Sequence, residues 1–210
     1  MIRQDFLETA AVATTLLAAP AVGRAWAQSS ALREFRIRGL AGHLAGQVTV
    51  VAAVLDAPPP DTPPISLVDH YARSTWSDGA IYSDLNTGIR EAGEQTAADG
   101  HTVLHERTAA VLADLRERLP AQPGGRVIAL PFGPWALTLD DFLATRMLEI
   151  AVHCDDLAVS LGIPTPELPR SAADTVLTLL CRWSAARHGH TALIRALARA
   201  ERAPAAINAI

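Results

Sequence analysis

Apolar residues recur every three or four positions along most of the chain, which is the spacing of one buried face of an α-helix. The pattern predicts a first helix that begins near the N-terminus and ends between Pro20 and Gln28. Several helices joined by polar connections are typical of a helix bundle, so the predicted fold class is all-α. Further helices are predicted over residues 37–55, 102–119, 139–161, 171–186 and 191–202, with weaker helical character over 67–99.

Prolines, glycines and capping residues separate these helices from one another. Residues 58–64 contain five prolines and predict a stiff surface connection, because proline lacks the backbone N–H that a helix interior needs. The one strand candidate is 126–130, between a Gly-Gly pair and a proline. Ser66, Thr138 and Ser171 stand where the N-caps of predicted helices are expected.

A helix stop divides the predicted bundle from the C-terminal residues. Gly162 comes directly after the helix predicted over 139–161, and Pro164 lies two residues further on. Glycine just past a helix end, with proline beyond it, is a common termination signal. We therefore expect a helix bundle over 1–162 and a C-terminal helical extension over 163–210 that packs on the bundle.

The composition supports a helical protein and excludes several function classes. All 18 basic residues are arginines, only 5% of residues are aromatic, and alanine is the most frequent residue. The net charge of −4 does not fit a nucleic-acid-binding surface, and the absence of lysine excludes Schiff-base and P-loop chemistry. Cys154 and Cys181 form no Cys-x-x-Cys motif, so neither a disulfide framework nor a cysteine zinc site is predicted. This cysteine usage fits the reducing cytoplasm.

The N-terminal apolar run has two interpretations. Residues 10–22 are mostly apolar, and Ala-Trp-Ala at 25–27 is similar to a signal-peptidase site. Asp5 and Glu8 beside a single Arg3 do not form the positive region that precedes a secretory signal, which favours a buried amphipathic helix instead. The run is too short to span a bilayer, so no membrane segment is predicted.

Glu149 and His153 lie four residues apart on the helix predicted over 139–161. This spacing places both side chains on one face, one turn apart, among apolar neighbours. A buried carboxylate and imidazole need a partner, and a divalent metal ion would serve both. From spacing alone, a solvated pair or a hydrogen bond in the core explains the same residues.

His43 is the candidate for a third ligand. It is a lone polar side chain in an apolar helical stretch, and the small residues around it allow a neighbouring helix to come close. By itself, His43 also fits a histidine that is buried in the core. Together with Glu149 and His153 it completes two histidines and one glutamate, and three protein ligands with one open position are typical of catalytic zinc. Nickel or iron would suit the same donors.

Two neighbours of His153 bear on such a site. Asp156 shares the face of His153 and could orient a ligating histidine through its second ring nitrogen, although an ordinary surface acid fits equally. Cys154 lies about 100° round the helix, so we interpret it as a packing residue and not a nucleophile.

Two stretches of the chain resemble a known family. Residues 39–46, Gly-Leu-Ala-Gly-His-Leu-Ala-Gly, and residues 139–153 with the following Asp-Asp-Leu resemble the metal-ligand regions of the mycothiol-dependent maleylpyruvate isomerase family. That family belongs to the DinB-like superfamily of metal-binding four-helix bundles. By position, the resemblance assigns metal ligation to His43, Glu149 and His153. It also implies that the N-terminal run is a bundle helix.

The resemblance implies a cytoplasmic protein with zinc, or another divalent metal, and mycothiol as thiol cosubstrate. In the isomerase, a zinc-activated thiol is thought to add to a cis double bond, allow rotation and then leave. An anionic substrate such as maleylpyruvate needs cationic partners, and Arg90 and Arg146 are the candidates, although a structural salt bridge would equally explain Arg146. The isomerase has a separate C-terminal domain, whereas only 163–210 follow the bundle here, so a short form is expected.

Three functions follow as hypotheses. The first is a metal-dependent enzyme, an isomerase or a transferase, that joins a low-molecular-weight thiol to a small electrophilic metabolite. The second is a non-catalytic metal-binding or regulatory protein of the DinB-like type. The third is a metal-independent biosynthetic enzyme that reuses the bundle pocket, with Glu149 or Asp156 as general base. The oligomeric state stays open, and a homodimer is one option.

Overall fold

The computed structural model describes residues 1–73 and 81–209, and this part of the chain is all-α with one small sheet, as predicted. The part of the predicted helical region 67–99 that falls on residues 74–80 lies outside the described residues. The helices are α1 (Ile2–Leu17), α2 (Pro20–Arg24), α3 (Ile37–Asp56), α4 (Leu67–Arg73), α5 (Asp84–Thr96), α6 (His101–Arg118), α7 (Leu139–Leu161), α8 (Arg170–His188) and α9 (His190–Ala198). The strands are β1 (Val127–Ala129) and β2 (Ala136–Thr138), and a 3₁₀ turn covers Ala200–Arg202.

Four long helices form the bundle that holds the core. Helix α1 packs against α6 and α7, and α3 packs against the same two helices. The side chains that meet inside are large and fully buried, and burial of each contributes about 1.5–3 kcal/mol. The most deeply buried of them include Phe6, Leu40, Leu44, Leu115, Phe142 and Leu143.

The N-terminal run is a helix of this bundle. Phe6 and Leu17 of α1 are fully buried, and the Arg3 Nε donates a hydrogen bond to the Asp140 Oδ1 of α7 at 3.0 Å. The expected Ser171 N-cap is wrong, because α8 begins one residue earlier with Pro169 at its N-cap position. The Ser171 hydroxyl instead donates to the Asp5 carboxylate at 2.7 Å, and this contact ties α8 to α1.

The small residues around His43 allow α5 to lie against α3. A Cβ atom on Gly42 would come within 2.0 Å of the Gly93 carbonyl oxygen, and a Cβ atom on Gly93 would come within 2.4 Å of the Gly39 carbonyl oxygen. Only glycine permits such backbone contact. Helix α5 is therefore the neighbour that the small residues around His43 admit.

Residues at both ends of helix α7 define where the helix begins and where it stops. The Thr138 Oγ1 accepts a hydrogen bond from the Asp141 backbone N–H at 3.1 Å, and Gly162 ends the helix in the left-handed conformation, with φ of 64°. Just before α7, β2 pairs antiparallel with β1, and Ile128 lies opposite Leu137. The sequence pattern indicated β1 and missed β2, which is three residues long and shows no alternation of its own.

Among the described helices, α3 has the length and composition to cross a membrane, with a mean hydropathy of 1.3. Most of α3 is buried inside the protein, where α5, α6 and α7 cover it. Its apolar character is therefore that of a core helix and does not indicate a membrane protein.

The C-terminal helices differ in how they are covered. Helix α8 packs against α7 and α1, whereas α9 contacts α8 and contributes no buried residue. The division of the chain at residue 162 into a bundle and an extension stays a prediction.

Candidate metal centre

Three side chains from two helices meet in the bundle interior. His43 comes from α3, while Glu149 and His153 lie one turn apart on α7. Their ligand atoms all lie within 4.8 Å of one another, and within residues 1–73 and 81–209 this is the group whose geometry could hold a metal ion. The Glu149 Oε2 lies 3.3 Å from the His153 Nε2 and 3.9 Å from the His43 Nε2. We call these three residues the triad.

The triad fits the coordination of a small divalent cation. Ligand atoms that bind zinc at about 2.0–2.2 Å in a tetrahedron lie roughly 3.3–3.6 Å from one another. The Glu149–His153 distance already matches this spacing, and a small side-chain adjustment would bring His43 to it. Two imidazoles and one carboxylate leave a fourth position open, which suits zinc and several other divalent ions.

The charges of the triad are interdependent. Burial alone would raise the pKa of Glu149, but its close contacts with His153 and His43 and the charge of Arg146 hold it well below its ordinary value. Burial lowers the pKa of His43, whereas hydrogen bonds to Asp156 and Glu149 overcome burial and raise the pKa of His153 to about 9. At neutral pH without metal, Glu149 is ionised, His43 is neutral and His153 carries a proton.

Asp156 contacts His153 and not His43. The His153 Nδ1 lies 3.0 Å from the Asp156 Oδ2, so the Nε2 of the same ring faces Glu149. Metal-ligating histidines commonly donate their second ring N–H to a carboxylate in this way. The neighbouring Asp155 instead accepts a hydrogen bond from the Thr165 hydroxyl at 2.6 Å.

Cys154 directly follows His153 in the sequence, and its side chain is buried. Burial raises the pKa of its thiol to about 12, so the thiol stays protonated at neutral pH. A protonated, buried thiol is a poor nucleophile, and this agrees with its interpretation as a packing residue.

Gln47 is part of the site and was not predicted from the sequence. Its side-chain Nε2 lies 3.2 Å from the His43 Nε2 and 3.1 Å from the His43 carbonyl oxygen, and its Oε1 accepts a hydrogen bond from Arg146. The signal in the sequence was the four-residue spacing from His43, which places both on one face of α3. Gln47 therefore links the triad to Arg146.

Arg146 lies on α7 one turn before Glu149 and is buried. Its Nε donates to the Thr145 hydroxyl at 3.2 Å, and its guanidinium lies 5.2 Å from the ring centres of Phe132 and Phe142. No carboxylate of the described residues lies within ion-pair distance of it, although the charge of Glu149 acts on it. In place of the structural salt bridge that was one option for Arg146, its guanidinium is held by an amide, a hydroxyl and two rings.

Arg90 lies on α5 and makes local contacts. It donates to the Ile81 carbonyl at 2.7 Å and to the Thr87 hydroxyl at 2.9 Å. None of its hydrogen bonds in the described part of the chain reaches the triad. A substrate-binding role for Arg90 stays a prediction.

A comparison with known families covers this whole site. The family model described as mycothiol maleylpyruvate isomerase N-terminal domain matches residues 7–158, which contain all three triad residues. No curated protein and no solved structure matched the chain. Because the family match extends over most of the sequence, the chain belongs to the mycothiol maleylpyruvate isomerase N-terminal domain family.

Proposed function

We propose that this protein is a zinc-dependent enzyme that uses mycothiol as cosubstrate and isomerises, or transfers the thiol to, a small electrophilic metabolite. The observation that carries the proposal is the triad, in which three ligand atoms from α3 and α7 converge and leave a position for an exogenous ligand. Membership of a mycothiol-related family supports the choice of thiol. Another divalent ion in place of zinc would preserve the same chemistry.

Different residues of the chain would have different roles in the proposed reaction. A divalent cation held by the triad supplies the charge that keeps a bound thiol ionised at neutral pH. Asp156 keeps the His153 ring oriented, with Nε2 toward Glu149. Arg146 supplies a cation one turn of α7 away for an anionic substrate. The enzyme would not use a cysteine of its own beside the triad, since Cys154 stays protonated.

The proposal also places the protein in the cytoplasm, where low-molecular-weight thiols are kept reduced. Its partners would be the thiol and one small substrate.

Metal content tests the proposal directly. Elemental analysis by inductively coupled plasma mass spectrometry should find about one zinc, or another divalent ion, per chain of the purified native protein. His43→Ala should lose this metal, whereas His190→Ala, at an exposed position on α9, should retain it. Folded protein that takes up no metal when zinc is supplied would reject the proposal.

Thiol binding separates an enzyme from a non-catalytic metal protein. Zinc-loaded protein should bind mycothiol in a calorimetric titration, and His43→Ala should abolish this binding. A metal-loaded protein with no affinity for the thiol would instead favour the non-catalytic metal-binding function.

A further inference from the structure

The segment before α3 forms a loop at the end of the bundle nearest the triad. Ser29 and Arg36 form an antiparallel bridge, so the residues between them fold back on themselves. We call residues 29–36 the cover loop. Since α3 begins at Ile37 and each helical residue advances about 1.5 Å, His43 lies about 9 Å from the start of the helix. The cover loop therefore lies within reach of the triad.

Phe35 is the residue of the cover loop that contacts the triad. The centre of its ring lies 6.1 Å from the centre of the His43 ring, and the two planes are tilted by 59°. The Phe35 side chain is half-buried and packs against the core. The side chains of the triad keep between 14% and 18% of their surface exposed. The triad is therefore close to solvent, and the Phe35 ring covers part of His43.

Helix α7 holds one side of the cover loop. The Ala31 backbone N–H donates a hydrogen bond to the Ser160 Oγ at 2.8 Å, and the same hydroxyl donates to the Asp156 carbonyl oxygen. Ser160 follows His153 by seven residues, which is about two helical turns, so both residues lie on one face of α7. This contact places the cover loop on the face of α7 that carries a triad residue.

Tyr82, just before α5, holds the other side of the cover loop. Its hydroxyl donates to the Glu34 Oε1 at 2.8 Å, and both side chains are exposed. Glu34 has a φ of 66°, in the left-handed region that a residue with a long side chain rarely adopts. Water competes readily for an exposed hydrogen bond, so this side of the loop is held only weakly in a strained conformation.

We propose that the cover loop opens and closes over the triad, and that Phe35 controls how fast a metal ion and its exogenous ligand reach His43. The contacts of Ala31 with Ser160 and of Glu34 with Tyr82 hold the closed state, whereas strain at Glu34 favours opening. Neither contact involves a triad side chain, so a weaker contact should speed entry and release equally and leave the affinity unchanged. The inference rests on the proposed function, because it concerns access to the same site.

Zinc exchange in the full chain tests the proposal. Tyr82→Phe removes the hydrogen bond to Glu34, so zinc release to an excess of chromophoric chelator should become about threefold faster or more. Zinc uptake by the metal-free variant should accelerate by the same factor, so that the equilibrium affinity stays within about twofold of the wild type. Thr165→Val is the matched control, since it removes an exposed hydrogen bond to Asp155, and both rates should stay unchanged. Wild-type rates in Tyr82→Phe would overturn the proposal.

Two variants of Phe35 test whether its ring is the barrier. Phe35→Ala removes the ring beside His43, and zinc release should become about tenfold faster or more. Phe35→Leu keeps an apolar side chain at this position, so its release rate should lie between those of Phe35→Ala and the wild type. Unchanged or slower release in folded Phe35→Ala would show that access to the triad does not pass Phe35.

Hydrogen exchange in the metal-free protein separates this inference from the proposed function. In Tyr82→Phe the Ala31 backbone N–H should exchange about threefold faster or more, whereas the N–H of Leu44, inside α3, should keep its wild-type rate. Faster exchange at Ala31 in protein that takes up no metal would reject the metal function and support the opening of the loop. Metal-loaded Tyr82→Phe with faster exchange at Ala31 but wild-type zinc rates would overturn the control of access and leave the metal function standing.

Discussion

The triad and the buried Tyr71 and Arg146 side chains differ in how their polar atoms are partnered. In the triad, Glu149 contacts both histidines, and Asp156 contacts His153. The Tyr71 hydroxyl has no partner, and the buried guanidinium has no carboxylate within ion-pair distance in the described part of the chain. The polar atoms of the triad therefore have partners within the protein, whereas the Tyr71 hydroxyl does not use its hydrogen-bonding capacity among the described residues.

Loss of the Glu149 charge should have the largest effect. Glu149→Gln removes the carboxylate that His43, His153 and Arg146 share, so metal affinity should fall about 1,000-fold or more. The metal-free protein should lose about 3 kcal/mol of stability, because buried cations lose their counter-charge. Zinc competition assays and urea unfolding measure the two effects.

Glu167→Gln is the matched control, since Glu167 is exposed beyond the end of α7. It should change neither zinc affinity nor the urea midpoint. If Glu149→Gln bound zinc as the wild type does, the triad would not be the metal site.

The pH dependence of metal binding is the next largest expected effect. Since His153 has a pKa of about 9 in the metal-free protein, against 6.5 ordinarily, zinc must displace its proton. Affinity should therefore rise about tenfold per pH unit from 6.5 to 9, as measured with a chromophoric chelator.

The stability of the metal-free protein should change in the opposite direction. Because folding raises the pKa of His153, the protonated His153 stabilises the folded metal-free protein fully below about pH 6.5. This contribution is lost as the pH rises through about 9. Zinc affinity that does not vary over this range would show that His153 does not bind the metal through the nitrogen that carries the proton.

Removal of the Asp156 charge should have an intermediate effect. Asp156→Asn weakens the contact that orients His153, so zinc affinity should fall about 10–100-fold while the fold is retained. Asp155→Asn changes the adjacent carboxylate, which contacts Thr165 and not the triad, and should leave zinc affinity unchanged. Equal losses in both variants, measured by chelator competition, would point to general electrostatics and not to orientation of His153.

The two arginine candidates should give the smallest and most discriminating difference. Arg146→Gln should weaken binding of succinate, a small anionic probe, to zinc-loaded protein about tenfold, and Arg90→Gln should weaken it less, because the hydrogen bonds of Arg90 are local to α5. Calorimetry gives the affinities, and metal analysis confirms that zinc is retained. A larger loss in Arg90→Gln would move the anion site to α5.

The long helices could be predicted because their signals are local. Apolar spacing identified α3, α6 and α7, and Thr138 and Gly162 mark the ends of α7 as a cap and a left-handed stop. β2 could not be found in this way, since a three-residue strand exists only through its pairing with β1. Ser171 was misassigned because its hydroxyl bonds to Asp5, which is 166 residues away.

The sequence alone determined the all-α class, the family resemblance and the Glu149–His153 pair. These depend on composition, on two short motifs and on a four-residue spacing that one helix always places on one face. The sequence also proposed His43 as the third member of the site, but the distances between His43 and this pair, the bridge from Gln47 to Arg146 and the unpartnered Tyr71 hydroxyl among the described residues depend on the folded chain. The physical reason is that spacing along a helix is a local property, whereas the atoms that face one another between helices depend on how the whole core packs.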